Sequence, residues 1–295
     1  MQGLMTVFEK ELADHFTSWR FIILSALVFA VGVVAIYIDA QYIRQEVMET
    51  RFVFLQLYTT SGQAWPLFIF FITFFMPIVG IILGFDTINS EKNSGTLGRL
   101  LSQPIYRDAV INGKFLAGVV TMAVLLTGMV MLVAGLGLRI IGVPPSSEEA
   151  LRLTVFLIMT IVYGAFWLGL GILFSIFFNR VATSALASIA FWMFFGFIGF
   201  MFIFPSLFQV GQTGLTVMQV SPVALFWQVT VLLLVPTARS IGQVIQSGGM
   251  LPSSALSLSQ SLISVWPHLV SIIVLTVVCF AISYVKFMRE EIRST

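Results

Sequence analysis

PLFIFFITFFMPIVGIILGF, residues 66–85, runs its whole length without one ionisable side chain. DTINSEKNSGTLGRLLSQPIYRDAVINGK, residues 86–114, follows it with four basic and three acidic residues. A helix of about 20 mainly apolar residues crosses the roughly 30 Å of a bilayer's hydrocarbon. The first stretch therefore reads as a membrane span and the second as a solvated connection. Segments 21–38, 115–138, 153–178, 181–204 and 268–285 meet the same test, and Asp39, Asp86, Lys114, Arg139 and Lys286 fall at or just beyond their ends. The runs are apolar all round, whereas barrel strands alternate over about ten residues. The fold class that follows is an all-α membrane protein with six spans.

Composition agrees. Of 295 residues, 58% are hydrophobic and 9% charged, with 29 Phe and 13 Met. A soluble domain carries about 25% charged residues, so much of this surface faces lipid. The net charge of +2 gives no case for nucleic acid, and the single cysteine, Cys279, excludes an intramolecular disulfide. The amino terminus does not read as a cleaved signal, because Glu9, Glu11 and Asp14 precede an apolar run long enough to stay in the membrane. Orientation follows from Lys and Arg. Six spans put Lys10, Arg20, Lys92, Arg99, Arg107, Lys114, Arg180, Lys286, Arg289 and Arg293 on one side. Arg44, Arg51, Arg139, Arg152 and Arg239 fall on the other. Both termini are expected in the cytoplasm of a plasma-membrane protein. Trp19, Trp65 and Trp266 mark membrane–water boundaries.

Residues 215–235 are apolar but interrupted by Gln219, Pro222 and Gln228. A seventh span there would place Lys286, Arg289 and Arg293 outside, so the segment is expected to be an external re-entrant or interfacial helix. It belongs to an extracytoplasmic excursion, 206–267, with a weakly amphipathic helix around 254–265. His268, beside Trp266 and Pro267, is expected at the external start of the last span.

Two cytoplasmic segments carry the information about function. In 1–20, Leu4, Val7, Phe8, Leu12, Phe16 and Trp19 recur at mostly helical spacing, which suits a helix lying in the interface. Glu11 and His15 intrude on that stripe. Either both sit at a wet rim, or Glu11 pairs with a basic residue of the 86–114 loop. In that loop, Asn93 or Ser94 is placed to cap a short helix with Leu97, Leu100 and Leu101 on one face, and Pro104 marks its stop. Asp108 is placed to cap the next helix, and Lys114 to snorkel from the membrane edge. So short a helix needs a docking surface, either its own membrane domain or a groove on a soluble partner.

At this loop the chain resembles the type-2 permeases of ATP-binding-cassette exporters. The residues that carry the likeness are Glu91, Gly95, Thr96, Leu97, Leu100, Leu101, Pro104, Arg107, Gly113 and Lys114, with FEKEL at positions 8–12 similar to the start of such permeases. Gly98 inside the short helix and the size of 206–267 depart from a minimal member. That excursion resembles the subgroup serving periplasmic or cell-surface assembly, including permeases of nitrous-oxide-reductase maturation. The resemblance implies a single permease domain over 1–295 whose 86–114 loop, with Ser94, Arg99 and the residues above, seats on a separate nucleotide-binding subunit. It also implies a second permease copy or paralogue as dimer partner.

A P-loop needs a glycine-rich cradle ending in Gly-Lys-Ser/Thr. Gly113-Lys114 is followed by Phe115, so ATP and Mg are expected on the partner, and no cofactor, metal or catalytic residue is expected in this chain. An ion-coupled carrier usually keeps an ionisable group near mid-membrane, and the spans hold none. A membrane component of a cell-surface assembly complex is the other alternative, with a soluble partner at 206–267. Phe- and Met-rich spans favour lipid-like, amphiphilic or peptide cargo.

Overall fold

The computed structural model describes residues 2–45, 52–59, 67–101, 105–235 and 256–289. All regular structure among them is helical. The order is α1 (Gln2–Thr17), α2 (Trp19–Gln45), α3 (Val53–Thr59), α4 (Leu67–Gly84), α5 (Asn89–Asn93) and α6 (Thr96–Leu101). Then come α7 (Arg107–Ile141), α8 (Ser147–Phe177), α9 (Val181–Ile203), α10 (Gln212–Met218), α11 (Pro222–Leu234) and α12 (Leu258–Arg289). Six of these, α2, α4, α7, α8, α9 and α12, are long and apolar enough to cross a membrane. The chain is an all-α, multi-pass membrane protein.

The centre of the bundle is the contact between α4 and α8. Lipid tails are as apolar as leucine, so helices in a bilayer gain from close backbone approach rather than from leaving water. Here the approach is set by small residues. A Cβ built on Gly80 would lie 2.7 Å from the Gly164 carbonyl oxygen, and one on Gly84 would lie 2.6 Å from that of Leu168. Around this seam pack buried aromatics, including Tyr163 stacked on Phe226 of α11 with ring centroids 4.1 Å apart. Helix α9, by contrast, exposes Leu186, Met193, Phe194 and Phe197, as suits a lipid-facing span.

Two expectations about the excursion change, and for 215–235 the re-entrant alternative fits better than the interfacial one. Residues 258–265 form no separate helix, and His268 does not start one: both lie within α12. Pro267 removes one backbone donor, but packing of α12 on α8 and α11 outweighs that loss. Segment 215–235 divides into α10 and α11, bent by 95°. Every residue of α11 is buried, so this part is a helix enclosed by its neighbours rather than one lying in an interface; α10 is exposed at Val217 and Val220. Gln228 does not break α11, because its amide donates to the Ala224 carbonyl at 3.2 Å and its Oε1 lies 3.1 Å from His268 Nε2. Residues 236–255, Trp65 and Pro104 lie outside the described residues.

The first turn of α8 gathers what the excursion leaves apart. Ser146 and Glu149 form a capping box, each satisfying a backbone amide that the helix start leaves free. The same Glu149 carboxylate accepts from the Phe54 and Leu55 amides at 2.8 and 3.2 Å. That long-range cap holds α3, a seven-residue helix with too little local hydrophobic pattern to be read from sequence. One turn on, Arg152 is 0% exposed. It donates to the Leu233 carbonyl at 2.9 Å, the Leu256 carbonyl at 2.7 Å, Ser261 Oγ at 3.0 Å and Glu148 at 2.9 Å. The end of α11 and the start of α12 are thereby tied to α8.

Gly84→Ala drives a side chain into backbone and is expected to lower stability by about 1–3 kcal/mol, the usual range for overpacking. Gly98→Ala, where nothing lies within 4 Å, is expected to stabilise α6 by roughly 0.5–1 kcal/mol, as alanine for glycine within a helix does. Thermal unfolding of the two variants in the same nanodiscs checks both signs.

Candidate functional site

The site is an ion-paired ring at the end of the bundle where α1, α5 and the first turns of α7 meet. Helix α1 packs on α7 through part of the expected stripe, with Glu11 added to it. Its buried positions are Val7 and Glu11, Leu4, Phe8 and Leu12 are half-buried, and Phe16 is exposed. Trp19 belongs to α2 and is 78% exposed. The face α1 turns to α7 thus sets Val7 of the stripe beside the Glu11 carboxylate.

That carboxylate answers Lys114, which is only 3% exposed. A buried ammonium is tolerated when it is paired and hydrogen-bonded. Lys114 Nζ lies 2.8 Å from Glu11 Oε1 and 2.9 Å from Glu91 Oε1. Lys10 Nζ lies 3.0 Å from Glu11 and 3.3 Å from Glu91. The four side chains thus alternate in sign around a closed ring, with Asp14 3.5 Å from Lys10 and Arg20 paired to Asp86 alongside. Of the two readings of Glu11, pairing with a basic residue of the loop is the one observed. Lys114 does not snorkel, and its ammonium is held inside the ring. Lys10, Asp14, Arg20 and Asp86 were not among the site residues named from sequence. The usable signal was Glu11 breaking an apolar stripe.

The ring shifts its members' protonation. Burial alone raises the Glu11 carboxyl, but the Lys114 and Lys10 ammonium groups override it, and the net effect is a lowered pKa. Burial alone lowers the Lys10 amine, and Glu11 and Glu91 override it upward. For His15, burial dominates and Lys114 acts with it against Glu11, Asp86 and Asp14, so its pKa is lowered.

The 86–114 loop is an elbow of two helices rather than one. Helix α5 is held at both ends. Ser175 Oγ of α8 accepts from the Ile88 and Asn89 amides at 2.9 and 3.1 Å, and Lys92 and Asn93 donate to Asn179 at 3.1 and 2.9 Å. Gly95, at φ 71°, makes the left-handed turn into α6. Asn93 and Ser94 therefore end α5, and the Ser94 hydroxyl donates back to the Glu91 carbonyl at 3.2 Å. Leu97 is 2% exposed and belongs to the chain's own core, so it cannot belong to a face offered to another subunit. The side chains of Arg99, Leu100 and Leu101 lie outside the described residues. Asn93, Ser94, Gly95, Thr96 and Gly98 are exposed. Arg107 opens α7 half-buried, after Tyr106 as its extended N-cap residue; Asp108 sits within the first turn instead of capping it, where a carboxylate still suits the helix dipole.

Among the described residues, no group of three or more His, Cys, Asp or Glu is placed to hold a metal ion. What the ring does is mechanical: it fixes α1 and α5 to α7.

Residues 5–292 match the family described as ABC-2 family transporter protein. The chain belongs to that family. Among curated proteins it is similar to the "Probable ABC transporter permease protein NosY" of Pseudomonas aeruginosa, 29% identical over 127 residues. That match takes in 42% of this chain and 45% of the relative, so less than half of the relative's length is covered. Family and relative together support a membrane component of an ABC transporter.

Lys114→Met leaves Glu11 and Glu91 to share the half-exposed Lys10 alone and is expected to cost up to about 3 kcal/mol, the low end for breaking a buried pair. Lys10→Met, at a half-exposed position, is expected to cost no more than about 1 kcal/mol. Combining Lys114→Met with Glu11→Gln is expected to cost less than the sum. The pH dependence has a definite sign. With its pKa lowered, Glu11 contributes stability above the ordinary carboxylate range, lost as pH falls through its folded value. With its pKa raised, Lys10 contributes below the ordinary lysine range, lost only as pH rises through its folded value. Thermal unfolding in nanodiscs across acid and neutral pH checks this, and the acid loss is expected to shrink in Glu11→Gln.

Proposed function

We propose that this chain is the permease subunit of an ABC exporter, driven through the 86–114 elbow by a separate cytoplasmic ATPase that carries ATP and Mg. The observation that carries this reading is how the elbow is held. Helix α5 is bonded to α1 and α7 through the ring, and to α8 and the α8–α9 turn through Ser175 and Asn179. Among the described residues between α5 and the end of α6, the exposed tip is Ser94 to Thr96 with Gly98. A push on that tip reaches α1, α7, α8 and the α8–α9 turn through these bonds. On this reading both termini are cytoplasmic, residues 1–295 form one permease domain in the plasma membrane, and 1–20 is its interfacial helix. A second copy or a paralogue completes the pathway. The excursion 206–267 faces outward, where exposed α10 is a surface for an extracytoplasmic protein.

The experiment is purification of this chain from its native membrane through a tag on it, with any P-loop ATPase that comes with it identified and then co-expressed with the chain. The intact pair is expected to hydrolyse ATP faster than the ATPase alone. Gly98→Trp fills open space, so the chain is expected to keep its thermal stability while ATPase recovery falls about tenfold, the factor for about 1.4 kcal/mol of lost docking. Recovery of ATPase unchanged by Gly98→Trp contradicts docking at the tip. Absence of any ATPase with the unaltered chain contradicts the reading altogether.

A further inference from the structure

Beside the ring lies a polar cavity of about 300 Å³, and Asp14, His15, Ser18, Arg20, Asp86 and Glu91 are among its lining residues. Its position is that of a lipid headgroup. Ser18 and Arg20 stand at the start of the α2 span, and Ile82 and Leu83, which also line it, at the end of the α4 span. Next to it, Phe16, Trp19, Ile22 and Ile23 are exposed, an aromatic and aliphatic skirt of the kind that sits at the headgroup level.

Its charges specify the headgroup. Lys10, Glu11, Lys114 and Glu91 balance within the ring, which leaves Asp14, Asp86 and Arg20 at the mouth, one negative charge in excess. Asp14 and Arg20, although they contact Lys10 and Asp86, are largely exposed, with side-chain exposures of 64% and 59%, so each keeps polar surface open to a ligand. Glu91 Oε2, in the cavity wall, is buried without a hydrogen-bond partner, an acceptor that the described side chains leave unanswered. A cation that donates several hydrogen bonds, with an anion beside it, satisfies this pattern: a primary ammonium toward Asp14, Asp86 and Glu91, and a phosphate toward Arg20. We propose that this cavity seats a phospholipid with a primary-ammonium headgroup, a phosphatidylethanolamine, and selects it over phosphatidylcholine. The trimethylammonium of phosphatidylcholine has the same charge but no N–H to donate, and it is larger.

The site does not depend on transport or on an ATPase. Its test is native mass spectrometry of the chain released from vesicles holding equal phosphatidylethanolamine, phosphatidylcholine and phosphatidylglycerol. The unaltered chain is expected to retain phosphatidylethanolamine about tenfold over phosphatidylcholine, as charge-assisted hydrogen bonds allow. Asp14→Asn alters an exposed side chain and leaves the fold in place; it is expected to shrink that preference, and Asp14→Asn with Asp86→Asn to abolish it. Free ethanolamine at high concentration is expected to compete poorly, because the acyl chains supply the remaining affinity. Equal retention of the two zwitterionic lipids overturns the proposal. So does a preference for phosphatidylglycerol, displacement by free ethanolamine at low concentration, or selectivity that survives both aspartate changes.

Discussion

A lysine at the membrane end of a helix ordinarily bends its ammonium outward to water. Lys114 cannot, because α1 lies across it and Val7 and Leu4 crowd the backbone at Gly113. A charge so enclosed has to be neutralised by groups that are also enclosed, and those come from two other segments, Glu11 on α1 and Glu91 on α5. The position of α1 and the position of the elbow are thus consequences of one buried ammonium. Neither short helix has enough local pattern to be stable alone; each is placed by what it brings to the ring.

The opposite end of α8 works by the same rule with different chemistry. Arg152 is as enclosed as Lys114, but its guanidinium meets carbonyls and a hydroxyl from α11 and α12 as well as Glu148. Glu149 caps its own helix and α3 together. Between these two polar ends the helix is held by glycine-tight packing on α4, backbone close to backbone at Gly80 and Gly84. Helix α8 therefore connects the elbow, through Ser175, with the α11–α12 junction, through Arg152. This makes α8 a link between the elbow and the far side of the bundle.

The spans were legible because hydropathy over twenty residues is a long signal that packing cannot reverse. Their ends were less so: α7 begins at Arg107 and α12 at Leu258, since polar first turns continue a helix whenever other elements cover them. Glu11 was legible as a residue out of place, and its partner Lys114 as the end of a loop motif. Leu97 misled, because a leucine face says only that something covers it, and here the chain's own core does. Helix α3, the Arg152 bonds and the enclosure of α11 were not legible. Each depends on contacts between residues far apart in sequence, such as Phe54 with Glu149, Arg152 with Leu233 and Gln228 with His268, which local pattern does not encode.

The most direct measurement is inversion of the ring. Glu11→Lys alone and Lys114→Glu alone each put like charges together in a buried place. The fourfold change Lys10→Glu, Glu11→Lys, Glu91→Lys and Lys114→Glu restores alternation with every sign reversed. Thermal unfolding of the three variants in nanodiscs decides the matter. The account requires the fourfold variant to be clearly more stable than either single reversal. A fourfold variant no better than the single ones would show that the four charges are not held as a ring, and that α1 and the elbow are placed by something else.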